Sequence, residues 1–351
     1  MLPFLVTTFL AAIITPVIIC FYKKHHWLDV PEKNTHVKKT HHQAVPRGGG
    51  LVIFTAVLLA SVLFLNFDQY LIGILLGALI LAVVGFLDDI YDLHPGWRLL
   101  AGLAAAGCVV GAGIGIAYVS NPFGSGVIHL NQPQLIFDFL GKTRTIWLLS
   151  DLFALLFILW NMNIVNWSKG VDGQMPGFVS IALIFVGLLS YRFIDDPNTF
   201  NTANLAFISA GAFAGFLVWN FYPQKIMPGY GAGSLAGYFL AVLAILSGAK
   251  VATMLMVLGI PTADALFTVG RRLLAGKSPI WGDRGHLHHK LLDVYGWGRR
   301  RIAIFYWLSS LTLGILSLYL NTWGKLITMM LVITLVFAFL IWTKFKTRPS
   351  T

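Results

Sequence analysis

Charge is what this chain has least of. Only 11% of its 351 residues are Asp, Glu, Lys or Arg, where an ordinary soluble domain carries about 25%. With 57% hydrophobic residues and a mean hydropathy of +0.76, too little polar surface is left to face water, and a soluble globular protein is excluded. Cysteine is nearly absent as well. Cys20 and Cys108 both fall in apolar segments, so neither a disulfide framework nor a thiolate metal site is supported. No internal repeat or low-complexity tract appears, and the first apolar segment lacks the basic leader of a secretion signal. It reads as a retained membrane helix rather than a cleaved peptide.

What is present is hydrophobic length. Apolar runs occupy 2–22, 48–66, 70–87, 98–119, 146–163, 177–194, 203–220, 232–247, 249–273, 302–320 and 325–343. They predict an all-α polytopic membrane protein of about eleven transmembrane helices, a single integral-membrane domain over residues 1–351. Pro261 is expected to kink the ninth helix, because proline removes one backbone donor and clashes with the preceding turn. Placing the N-terminus outside leaves only Lys142, Arg144, Arg192, Lys250 and Lys325 on the outer side. The other Lys and Arg then face the cytoplasm, as the positive-inside rule requires. Within the outer connection 120–145, Gly126–Leu130 and Leu135–Phe139 flank Asn131-Gln132-Pro133, predicting one small β-hairpin. The basic tail Lys344–Thr351 suits contact with lipid headgroups.

Four polar stretches interrupt the oil on the predicted cytoplasmic side. Lys277–Lys290 gathers Asp283, Arg284, His286, His288, His289 and Lys290; imidazoles beside cations suit an anion with several oxygens, such as a diphosphate. A plain basic loop is the alternative. Pro46-Arg47-Gly48-Gly49-Gly50 opens the second helix; glycines admit close backbone approach and a helix N-terminus favours anions, or the stretch is a flexible helix entry. Asp88, Asp89 and Asp92 lie where the third helix leaves the bilayer. Three carboxylates there are costly unless hydrated, paired or metal-bound. Asp88 and Asp89 either hold Mg²⁺ or raise one another's pKa so that one becomes a base; a solvated helix end is the alternative. Asn163 and Asn166, three residues apart, share a face if the helix continues, and Asp172 follows between glycines. Carboxylates for a cation or base, cations and imidazoles for phosphates, and apolar surroundings for a lipid fit phosphoryl transfer at a membrane surface.

These stretches, in this order, resemble the polyprenyl-phosphate N-acetylhexosamine-1-phosphate transferase superfamily (glycosyltransferase family 4). The resemblance runs from about Pro46 to Asp293 and is most specific in Gly85–Asp92, Asn163–Gly173 and Pro279–Leu292. Its nearest branch looks like the undecaprenyl-phosphate N-acetylglucosamine-1-phosphate transferases that begin O-antigen or teichoic-acid synthesis. The resemblance implies transfer of a sugar 1-phosphate from a UDP-N-acetylhexosamine to a polyprenyl phosphate, with release of UMP, in the inner membrane of a bacterium. It implies Mg²⁺, with Mn²⁺ as the alternative ion, and a homodimer; no nucleic-acid partner is expected. Asp88 and Asp89 match the catalytic aspartates, and with Asn166 and Asp172 they match the implied metal ligands. Arg47, Asn163, Arg271, Arg272, Arg284, His286, His288 and His289 are assigned to substrate binding, together with Lys169, which departs from the pattern but could bind the diphosphate directly.

Two positions depart from the family pattern. The first Asp of Asp-Gly-x-Asp-Gly is Lys169 here, and the Asp of Gly-Asp-x-Gly-Ser falls at Gly231. Both changes move the site toward positive charge. They motivate a second reading, a catalytically altered relative that binds lipid phosphate or nucleotide sugar. A transporter is disfavoured, because the ionisable residues cluster at one face rather than at the bilayer midplane.

Overall fold

The computed structural model describes residues 1–30, 44–121, 124, 126–139, 142–191, 199–247, 250–278 and 284–346. Its helices are α1 Leu2–Lys24, α2 Gly49–Phe64, α3 Gln69–Tyr91, α4 Pro95–Gly111, α5 Leu148–Trp167, α6 Gln174–Ser190, α7 Thr199–Asn220, α8 Gly229–Leu246, α9 Lys250–Val257, α10 Gly259–Leu274, α11 Leu287–Asp293, α12 Arg299–Tyr319 and α13 Thr322–Lys346. Asp283 and the tail 347–351, singled out in the sequence, lie outside the described residues.

The helices start where the local chemistry supplies caps. Asp68 accepts from Leu71 N at 2.7 Å to open α3, and His94 Nδ1 accepts from Gly96 N at 3.1 Å to open α4, which has Pro95 in its first turn. Each satisfies an orphan donor of the first turn. At its other end α3 stops at Asp92, held at φ 48° in the left-handed region.

Packing follows membrane rules. On α1, Leu2, Leu5, Phe9, Ile13 and Val17 form an exposed apolar stripe, while Thr7, Ala11 and Thr15 are buried. That small-residue face meets α7 through Gly211 and Gly215, whose missing Cβ atoms would run into the α1 backbone. Close approach of small residues replaces the hydrophobic driving force that lipid cannot supply. α8 lies at the centre, buried along almost its whole length from Tyr230 to Ala244, as befits a helix apolar all round.

Among the described residues seven helices are long and apolar enough to cross a membrane: α1, α3, α5, α7, α8, α12 and α13. The α9–α10 pair makes an eighth candidate if counted as one bent span. α2, α4 and α6 have 16 or 17 residues, about 24–26 Å of helix against a hydrocarbon thickness near 30 Å. Helix length therefore supports a multi-pass membrane protein and does not by itself carry the expected eleven spans. The 249–273 run, expected as one helix kinked at Pro261, is two helices meeting at 87°. The break falls at Leu258, and Pro261 sits in the first turn of α10, where its missing N–H costs nothing.

The outer connection departs from expectation more sharply. Among its described residues it contains two hairpins, not one: β1 Tyr118–Ser120 pairs with β2 Val127–His129, and β3 Gln134–Phe139 pairs with β4 Lys142–Trp147, both antiparallel. The two segments expected to pair with each other belong to different sheets. Lys142–Trp147 carries two cations, which masked its alternating Thr143, Thr145 and Trp147. Those β-branched and aromatic residues favour the pleated strand, and only two residues separate it from β3.

Candidate functional site

The site is built from helix ends. α1, α3 and α5 finish where α2, α4 and α8 begin, and backbone bonds tie the loops together: Met227 N donates to Pro46 O at 2.7 Å, and Gly49 N to Met227 O at 3.2 Å. Below them α2, α3 and α8 cross through Gly50, Gly85 and Gly231. A Cβ on Gly231 would lie 3.1 Å from Gly50 Cα and 3.3 Å from Gly85 Cα. This backbone-to-backbone contact needs glycine. It sets Asp88 and Asp89, one turn beyond Gly85, against the first turn of α8.

The two aspartates are held differently. Asp88, 3% exposed, accepts from Arg98 Nε at 2.6 Å and from Leu93 N at 3.1 Å, both on Oδ1. The same guanidinium reaches Asp92 at 2.9 Å and lies over the Tyr230 ring, whose hydroxyl donates to Arg98 O at 2.8 Å. Asp88 is thus clamped. Asp89 receives the Tyr22 hydroxyl at 3.2 Å on Oδ2, while its buried Oδ1, beside Gly229, has no hydrogen-bond partner among the described residues. A buried carboxylate oxygen without a donor is costly and marks a position prepared for a ligand or proton.

Lys169 enters this space from the turn after α5. Its ammonium donates to Gly229 O and faces Asp88 and Asp89 electrostatically. Burial pushes the ammonium down to about 7, and the two carboxylates act in the opposite direction. Gly170, next in the chain, abuts the His288 ring so closely that a Cβ there would overlap it. The histidine cluster is thereby joined to the aspartate site.

His286, His288 and His289 are all buried. The rings of His286 and His288 stack at 5.6 Å and those of His288 and His289 lie 4.3 Å apart. Behind them, Asp264 of α10 accepts from Leu287 N at 2.8 Å and contacts His286 Nδ1 at 3.0 Å. A carboxylate at Nδ1 fixes the tautomer and leaves Nε2 for other work.

The remaining expected residues fall elsewhere. Arg47 is bound to Asp29 at 2.6 Å and 3.0 Å and stands 4.0 Å from Asp92, at the rim of the aspartate cluster. Arg284 forms a two-pronged pair with Asp293 at 2.8 and 3.0 Å, and so braces α11. Arg272 is buried and donates to Ser278 O at 2.9 Å; Arg271 precedes it in the last turn of α10. Asn163 donates to Leu159 O of its own helix at 2.8 Å. Asn166 lies against Gly233, its buried Oδ1 without a hydrogen-bond partner among the described residues. Asp172 accepts from Gln224 N at 3.3 Å and stands 3.6 Å from Arg299.

Of Asp88, Asp89, Asn166 and Asp172, the residues expected to hold Mg²⁺ or Mn²⁺, Asp88 and Asp172 meet protein cations, Arg98 and Arg299. The divalent ions want several convergent oxygens, whereas Asp88 is bonded to Arg98, Asp172 turns to Gln224 and Arg299, and an ammonium acts electrostatically on the aspartate pair. Among the described residues no three His, Cys, Asp or Glu side chains converge to hold an ion. Sequence reasoning missed Asp264, Tyr22, Asp29 and the clamping role of Arg98. Asp264 had a usable signal, a lone carboxylate inside an apolar run. Tyr22 and Asp29 had none, since only the fold supplies their partners.

A multi-pass membrane protein with a buried Asp88, a half-buried Asp89, cations and imidazoles at one set of helix ends has the equipment of a phosphoryl-transfer enzyme. Residues 71–248 match the glycosyl transferase family 4 profile, and the chain belongs to that family. It is 28% identical over 329 residues to a probable undecaprenyl-phosphate N-acetylglucosaminyl 1-phosphate transferase of Bacillus subtilis, covering 91% of this chain and 84% of the relative. Identity is likewise 28%, over 82% of this chain and 73% of the relative, to a decaprenyl-phosphate N-acetylglucosaminephosphotransferase of Mycolicibacterium smegmatis. A phospho-N-acetylmuramoyl-pentapeptide-transferase of Shouchella clausii is 30% identical, over 91% of this chain and 97% of that protein.

Proposed function

We propose that this enzyme transfers N-acetylglucosamine 1-phosphate from a UDP-sugar to a polyprenyl phosphate at the cytoplasmic face of a bacterial plasma membrane. The observation that carries this reading is Asp89, whose buried, undonated Oδ1 lies beside the clamped Asp88 and the Lys169 ammonium. Asp89 takes the proton of the lipid phosphate. An oxygen of that phosphate then attacks the sugar-bound phosphorus; a new P–O bond forms, and the bridging P–O bond breaks with its electron pair leaving on UMP. Catalysis of such a step is mostly positioning and charge stabilisation. Asp88, fixed by Arg98, keeps its neighbour in place, while Lys169 and the His286–His289 wall offer donors to the diphosphate. Asn163, Arg271, Arg272 and Arg284 stand further out, as support for the substrate-binding loops. The eleven-span reading belongs here too: α2, α4 and α6 cross as short spans beside longer neighbours.

The test is UMP release by the purified protein supplied with polyprenyl phosphate and UDP-N-acetylglucosamine. Turnover that disappears in Asp89→Asn supports the reading. Release only with UDP-N-acetylmuramoyl-pentapeptide would move the chain to the other branch of its relatives. Binding of either substrate without release of UMP would make it the altered, non-catalytic member that Lys169 and Gly231 first raised.

A further inference from the structure

The aspartate pair already has a cation, and it is covalently part of the chain. The Lys169 ammonium is bonded to Gly229 O, the residue Asp89 Oδ1 lies against, and it acts electrostatically on both aspartates, while Arg98 is paired with Asp88 and Asp92. A divalent ion between those carboxylates would have to displace the ammonium or sit against it. A third carboxylate could enter from α8 only if a tight crossing yielded. At Gly231 a Cβ would press on the backbones of α2 and α3, 3.1 Å from Gly50 Cα and 3.3 Å from Gly85 Cα, and backbone, unlike a flexible side chain, cannot swing aside.

We propose that Lys169 is the resident cation of the Asp88–Asp89 site, holding the place of a divalent metal ion, so that the free protein binds no such ion there. Lysine suits the task as a compact point charge on a flexible stem. This inference concerns the free site and does not depend on which sugar or lipid is transferred.

The test uses Mn²⁺ alone, followed by loss of the free-ion paramagnetic resonance signal, on full-length protein in detergent. The native chain and Lys169→Arg should show no Mn²⁺ binding that Asp89→Asn removes. Lys169→Met, which keeps the stem and deletes the charge, should bind Mn²⁺ at least about a hundredfold more tightly, the scale set by removing a like charge a few ångströms away. Adding Asp89→Asn to Lys169→Met should abolish that site. A native chain that binds Mn²⁺ through Asp89 would overturn the proposal, and so would a folded Lys169→Met that gains no ion. If Lys169→Met does not fold, the native chain and Lys169→Arg still decide, because Asp89-dependent binding in either contradicts it. Since no nucleotide sugar is present, failure here leaves the proposed transfer reaction standing, and failure of that reaction leaves this result intact.

Discussion

Asp88 and Asp89 are neighbours in sequence with different tasks, and substitution should separate them. Asp89→Asn removes the proposed proton acceptor and should lower turnover by at least about a hundredfold with little change in thermal midpoint. Asp88→Asn instead leaves Arg98 facing an amide inside the protein. It should lose stability as well as activity, by about 3 kcal/mol or more, since breaking a buried pair strands a charge. Paired measurements of turnover and unfolding midpoint check this; equal stability losses would show that the two carboxylates share one role. Asp264 acts at one remove. Asp264→Asn should cost about tenfold or more in turnover by releasing the His286 tautomer, and the histidine ring resonances in NMR should change with it. A purely structural Asp264 would leave those resonances in place. The contrast between these residues explains what the sequence could reveal. Polar groups crowded at the ends of apolar runs stand out in a chain with so little charge, so the aspartates, Lys169 and the histidines were visible. Which carboxylate is clamped and which is open depends on Arg98 and Tyr22, partners from α4 and α1 that no local pattern specifies.

At the scale of elements, the site rests on glycine contacts between helices. Gly231→Ala should lower stability by roughly 1–3 kcal/mol, the usual penalty for overpacking, because its new methyl meets backbone on α2 and α3. Gly107 on α4 is the internal control: nothing lies within 4 Å of a Cβ there, so Gly107→Ala should be neutral or stabilising by up to about 1 kcal/mol. Thermal unfolding of the two variants in the same detergent checks the difference, and a similar response would mean the triple glycine crossing is not a close contact in solution. Helix existence was legible because each apolar run is long and bounded by polar residues. The two hairpins were not. A strand of three to six residues has no long-range period, and Lys142 and Arg144 hid β4 behind a charge count that suits a loop. The break at Leu258 was also hidden: proline announced a disturbance in the 249–273 run, but the 87° turn is set by where α9 and α10 pack against α12 and α13.

For the whole molecule, orientation decides which substrates the site can reach. The ends of α1, α3 and α5 and the starts of α2, α4 and α8 share one face, and the β-hairpins lie at the opposite ends of α4 and α5. In the proposed orientation the first face is the cytoplasmic one, the side on which lysines and arginines near membrane helices are expected. A cytoplasmic nucleotide-sugar donor, as proposed, needs the same orientation that the charge rule favours. The check is impermeant thiol labelling of intact cells, with Cys20 and Cys108 first replaced by Ser. Lys225→Cys and Lys277→Cys, both at exposed positions, should be labelled only after the cells are opened. Gln132→Cys, exposed between β2 and β3, should be labelled at once. Labelling of position 277 from outside would place the histidine cluster and the aspartate pair on the wrong side of the membrane for a cytoplasmic donor, and the transfer reaction proposed for this site would have to be abandoned.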